Sequence, residues 1–260
     1  MDDLHRKPVS AGQDEHAALK AAEALIDRGA RHGRNRREVF RDFVDAAFFA
    51  IFAQCGTSAG ERARREAGYM EVVGRYGEER SREVPRSIFP HLLALLDGQM
   101  IRPEPCDFFG SLATRLEVLS ARDGQFFTPM SISQLTSGLI LPDDEIRDRV
   151  ASGRVLALHE PACGSGGMIL AMAGRIRMAG GDPERMLSVH AVDISPLCFR
   201  MCAVQMALAR IPARVFLGNG LDPDIETSCR DQIMTPAALA AFGTMPIVTK
   251  DPEQPSHFTP

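Results

Sequence analysis

Two kinds of apolar spacing divide the chain. Up to about residue 120 the apolar positions recur at helical intervals and no run alternates, which predicts helices separated by short breaks. They are expected over about 13–28, 38–54, 59–76, 87–96 and 107–119, punctuated by Gly29, Gly56, Pro85, Gly98 and the Pro103/Pro105 pair. In the second, Val39, Phe40, Phe43, Val44, Ala47, Phe48, Ile51 and Phe52 cover most of the circumference, so it reads as the buried centre of a bundle. After Arg122 short apolar runs alternate with helical stretches. Ser131 to Gln134 has the spacing of a capping box, which places a helix from just after Pro129 to about Leu141. Segments 154–159, 187–194 and 214–217 read as strands, the second ending at Asp193. Between them a helix spans 167–178, and another, capped by Ser195 with Pro196 at its first position, runs to about Arg210. A last helix, 236–242, precedes a proline-containing tail. The expected fold is α/β: an N-terminal helical bundle, 1–122, then a partial doubly wound parallel sheet of three strands with helices around it, 123–245, then a tail, 246–260.

Composition narrows the class. A chain of 260 residues with 45% hydrophobic content can bury a sizeable core. It has no uninterrupted apolar run of about 18 residues and a polar start, so neither a membrane span nor a signal peptide is expected, and the location reads as cytoplasmic. Six cysteines are scattered without a C-x-x-C pair, which suggests neither zinc nor a disulfide framework; Cys198 and Cys202, four apart on a helix, read as packing residues. The net charge of −4 lacks the basic excess of a strong nucleic-acid binder. Arg31, Arg34, Arg36, Arg37 and Arg41 form either a phosphate-contacting patch or a solvated helix start.

The candidate chemistry lies where strands end. Glu160-Pro-Ala-Cys-Gly-Ser-Gly-Gly167 joins a strand to a helix, and its glycines let the backbone turn sharply and approach a ligand. Gly164 and Gly166 make G-x-G, but Ile169 stands where the dinucleotide pattern needs a third glycine, which disfavours a NAD enzyme. Asp193, closing the next strand, can accept hydrogen bonds from two ribose hydroxyls; the competing reading, a helix cap, is already served by Ser195.

With Gln125-Phe-Phe-Thr-Pro129 before them and Gly218-Asn219 after, these motifs resemble the adenine-specific DNA methylases typified by the modification subunit of type I restriction systems. The likeness is good over about 95 residues, and the helical stretch before it matches loosely. It implies a class I methyltransferase using S-adenosylmethionine, with DNA as a partner. Phe127 and Thr128 would cover the methionine part, while Glu160 and the backbone of Ala162, Cys163, Gly164 and Gly166 would hold its amino and carboxylate groups. Asp193 would take the ribose, Ile194 the adenine face, and Asn219 the ring's polar edge. The family's catalytic tetrapeptide, Asn, Asp or Ser followed by Pro-Pro and an aromatic, is not found, since the sequence contains no Pro-Pro. Asp222-Pro223 and Asp251-Pro252 are incomplete substitutes, and the residues after Asn219 read as too few for the rest of the sheet. Two expectations remain open: an enzyme inactive alone and completed by a second chain, or a non-catalytic cofactor-binding regulatory module. In either case the open side of strand 154–159 is expected to be covered by N-terminal helices, by 246–248, or by self-association.

Overall fold

The computed structural model describes residues 11–53, 55, 59–118 and 127–242. Gln125, Phe126 and segment 246–248 lie outside them. The helical half comprises α1 (Ala11–Ala30), α2 (Arg36–Phe52), α3 (Ala59–Gly74), α4 (Phe89–Met100) and α5 (Phe108–Arg115). Helix α2 starts on a full capping box, in which the Asn35 side chain accepts from Glu38 N–H and the Glu38 carboxylate accepts from Asn35 N–H. As the spacing predicts, its apolar positions are buried at the centre, where Phe40 and Phe43 pack on Phe109 and Phe48 packs on Phe199.

Two expected breaks are not breaks. Gly29 lies inside α1, where a Cβ would come 2.8 Å from Val39 Cγ1, so it permits close approach to α2. Gly98 lies within α4, which a π-helical turn, Val84–Ile88, feeds directly. The arginine cluster also divides. Arg34 pairs with buried Asp42, which also accepts from Tyr76, and Arg36 pairs with Asp27.

The second half contains α6 (Met130–Ile140), α7 (Asp143–Ser152), β1 (Leu156–Glu160), α8 (Gly167–Met178), α9 (Pro183–Met186), β2 (Leu187–Asp193), α10 (Pro196–Leu208), β3 (Ala213–Leu217), α11 (Ile225–Ser228), β4 (Asp231–Met234) and α12 (Pro236–Phe242). The α6 capping box does not form: Pro129 is the cap residue without a side-chain bond, and Ser131 lies inside the helix. Helix α7 was not expected, although three acidic residues in its first turn and left-handed Gly153 at its end are standard signals.

The sheet has four strands, not three, in the order β1-β2-β3-β4, and β4 is antiparallel. Thr235 fixes this fourth strand: its buried hydroxyl donates to Ile211 O at 2.8 Å and accepts from Ala213 N–H at 3.0 Å. Because β1, β2 and β3 are neighbours in sequence order, right-handed crossovers put α8 and α10 on one face. That face is buried through Leu187, Val189, Ala191, Ala213, Val215 and Ile233. They belong to one hydrophobic cluster reaching back to Ala18 in α1, so the bundle and the sheet share a core. The opposite face is barer: it carries exposed Ala157 and His159, half-buried Ser188, His190 and Arg214, and a small cluster in which Ile225 of the short α11 packs on Val192 and Phe216. Among the described residues, β1 pairs on one side only. No described helix is long and apolar enough to cross a membrane.

Candidate functional site

The carboxyl ends of β1, β2 and β3 meet around the glycine-rich turn. After Glu160 the chain bends back, and Cys163 N–H bonds Val192 O at 2.8 Å, closing the turn onto β2. Gly164 and Gly166 have φ of 53° and 99°, in the left-handed region that favours glycine. At Gly166 a Cβ would come 2.8 Å from Met206 Cε, a tip that can shift, so it is the backbone conformation that favours glycine there. Gly166 caps α8, so the first free N–H groups of that helix follow directly on the turn.

Asp193 organises the centre of the site. Its Oδ2 accepts from Gly164 N–H at 2.8 Å and its Oδ1 from Ser195 N–H at 2.8 Å, so one carboxylate ties the glycine turn to the start of α10. It is only 9% exposed, and each oxygen keeps one lone pair for a further donor. Ser195 caps α10 through Cys198 N–H, as the sequence predicts. The loop after β3 closes the third side: Gly218 N–H bonds Asp193 O at 2.9 Å, and a Cβ on Gly220 would lie 1.9 Å from Pro161 O.

The other expected residues take definite places. The Phe127 ring lies over Gly164, 3.3 Å from where a Cβ would stand, and forms an apolar wall; Thr128 beside it is exposed. Glu160 is half-buried, and its Oε1 accepts from Ala162 N–H at 3.4 Å. Ile194 is 67% exposed next to Asp193, and its carbonyl accepts from Arg230. Asn219 is exposed, and its Oδ1 accepts from Leu221 N–H, leaving the side-chain amide to donate. Cys163 is buried against Cys202; that contact, then burial, pushes its thiol well above the ordinary range. Burial likewise pushes Cys198 up to about 12. The Cys163 side chain is thus a buried packing group.

Sequence reading missed Arg230, whose guanidinium reaches the Ile194 carbonyl from the start of β4. No local pattern marks it, because the contact depends on a strand that was itself not foreseen. A cavity of about 470 Å³ between α6, α7 and α8, lined by Met130, Leu170 and Arg175, is separate from the strand ends.

Residues 111–238 match the model of the N-6 DNA Methylase family, which takes in α6, the glycine turn, Asp193 and β4. Over 110 residues the chain is 28% identical to the type I restriction enzyme MjaVIII methylase subunit of Methanocaldococcus jannaschii. That alignment covers 41% of this chain and 17% of the relative, so the chain spans less than a fifth of its length. Among solved structures, a class I S-adenosylmethionine-dependent methyltransferase of Listeria monocytogenes matches 80% of this chain and 55% of its own, with 15% identity and a TM-score of 0.37. A type I restriction-modification methyltransferase subunit of Streptococcus thermophilus matches 83% and 60%, with 12% identity and a TM-score of 0.35. Over residues 111–238, just under half of its length, this chain is similar to the N-6 DNA methylase family.

Proposed function

We propose that this chain binds S-adenosylmethionine at the strand ends and forms the cofactor half of a DNA adenine methyltransferase. The family uses this cofactor as methyl donor. The observation that carries the reading is the junction of Asp193 with the glycine turn, where a buried carboxylate and a left-handed backbone lie together at the mouth of α8. Left-handed Gly164 and Gly166 bend the turn sharply at the strand ends, and Gly220 lets the loop after β3 close against Pro161. Glu160 and the backbone of 162–166 would hold the amino and carboxylate groups, with Phe127 as cover and Thr128 as a polar contact. Asp193 would take the ribose hydroxyls on its remaining lone pairs, Ile194 the adenine face, and the Asn219 amide the ring edge. The bound cofactor supplies an electrophilic methyl group on a sulfonium, so the task of this chain is to bind and orient it.

The acceptor needs more than these residues provide. Adenine's amine requires a polar group to accept its hydrogens and a ring to stack on the extruded base. No Asn, Asp or Ser before Pro-Pro occurs in the sequence, so these 260 residues are inactive alone. A different chain lying along β1 and over the open sheet face would complete the site and bring the DNA, whereas a second copy of this one, lacking the same tetrapeptide, would only cover the sheet. The same missing tetrapeptide supports a second reading, a regulatory module that binds the cofactor without transferring the methyl group.

Calorimetric titration with S-adenosylmethionine and its demethylated product separates these from no binding at all. Removing a charged acceptor costs about 1.5 to 3 kcal/mol, so Asp193→Ala should weaken binding roughly ten-fold or more. Equal affinity in both proteins, or none in either, overturns the reading. Labelled methyl transfer to unmethylated DNA by the purified chain alone would overturn its inactivity.

A further inference from the structure

Asp107, the cap residue of α5, lies outside the segment that matches the family model and is fully buried. Capping needs one acceptor, and its Oδ1 serves it by accepting from Gly110 N–H at 3.0 Å. A serine or asparagine would do as much without placing a carboxylate in the core. The second oxygen has another partner: Oδ2 accepts from Ser165 Oγ, the residue between the two left-handed glycines, at 2.5 Å.

Gln205 of α10 completes the arrangement. Its amide donates to Asp107 Oδ1 at 2.9 Å and to Ser165 O at 2.6 Å, while its Oε1 accepts from Phe109 N–H at 3.2 Å. Three elements, α5, the glycine turn and α10, therefore share one buried polar network. The packing is tight: a Cβ on Gly110 would come 2.2 Å from Asp107 Oδ2, and one on Gly167 would come 3.1 Å from it. Burial raises the Asp107 carboxyl above the ordinary range, and the Ser165, Gln205 and Gly110 donors pull it back.

We propose that Asp107 is a positioning residue for the cofactor turn: through Ser165 it fixes the path of Gly164 to Gly167, so that the helical half of the chain sets the geometry of the binding site. This rests on the reading that the turn holds S-adenosylmethionine. Asp193 holds the same turn at Gly164 N–H. The turn is thus held by two carboxylates, one from the bundle and one from the sheet.

The test uses the full chain and two readouts, cofactor affinity and amide exchange of 163–167 without cofactor. Ser165→Ala removes one hydroxyl and leaves Asp107 its bonds to Gly110 and Gln205, so the protein should stay folded. Its affinity should fall about ten-fold or more, and exchange at 163–167 should quicken by a similar factor, the effect of one charge-assisted hydrogen bond. Asp107→Asn keeps the shape and offers Ser165 an amide donor in place of the acceptor, and should stay within about three-fold of wild type on both readouts. Asp107→Leu should lose affinity even where denaturation shows it folded. A role in stability alone predicts lower melting temperatures with unchanged affinity and exchange, which would overturn the inference. If Asp193→Ala weakens binding and Ser165→Ala changes neither readout, the inference fails and the cofactor reading stands. If wild type binds no cofactor, the cofactor reading fails and exchange alone decides the tether: faster in Ser165→Ala supports it, unchanged overturns it.

Discussion

The two faces of the sheet are built on different terms. One is sealed by α8 and α10 and continuous with the bundle core, while the other holds His159 beside His190 and leaves both partly open to water. The cause is topological, because strands laid down in sequence order by right-handed crossovers send their helices to one side. Stability therefore belongs to the sealed face. The open face is suited to being covered by something else.

Substitutions on the two faces should differ sharply. Phe199→Ala, in α10 against Phe48, should cost about 3 to 5 kcal/mol in denaturant unfolding, as removal of a buried aromatic does. A loss below about 1 kcal/mol would mean that the shared core is not the source of stability. At the edge that β4 closes, Thr235→Val leaves the N–H of Ala213 without its acceptor and should cost about 1 to 3 kcal/mol. A neutral result would show that β4 contributes little to the sheet.

The histidines predict a smaller, pH-dependent effect. Burial lowers the His190 pKa below 6.5, helped by His159 and Arg214, while Glu226 opposes the shift. Its ring stacks on Phe216 with centroids 4.5 Å apart, and its Nδ1 lies 3.0 Å from that of His159, so one of the pair must be unprotonated there. A folded pKa below the unfolded one means that the unfolded chain binds more protons, so this contribution is present above about pH 6.5 and lost as pH falls through the folded pKa. His190→Gln should flatten the fall in melting temperature on the acid side of that value; an unchanged slope would assign the effect elsewhere. His159→Ala, on the exposed strand, should change stability at neutral pH by less than about 0.5 kcal/mol.

Much of this was legible in the sequence because it depends on neighbours along the chain. The strands β1 to β3, the glycine turn between β1 and α8 and the Ser195 cap follow from period, punctuation and short motifs. What could not be read depends on partners far apart. Strand β4 is four residues, Asp231–Met234, with no alternation, and exists only by pairing with β3. Asp107 looks like any helix cap until Ser165, 58 residues later, is brought against it. Gly29 resembles a helix end locally, and only the approach of Val39 explains it.

Hydrogen exchange of the whole chain with and without S-adenosylmethionine tests the central claim most directly. Saturating cofactor should slow exchange in peptides covering 160–166 and 193–195 and leave β4 at Asp231–Met234 unchanged. Protection absent from the strand ends, or found instead around the cavity between α6, α7 and α8, would contradict the placement of the cofactor site.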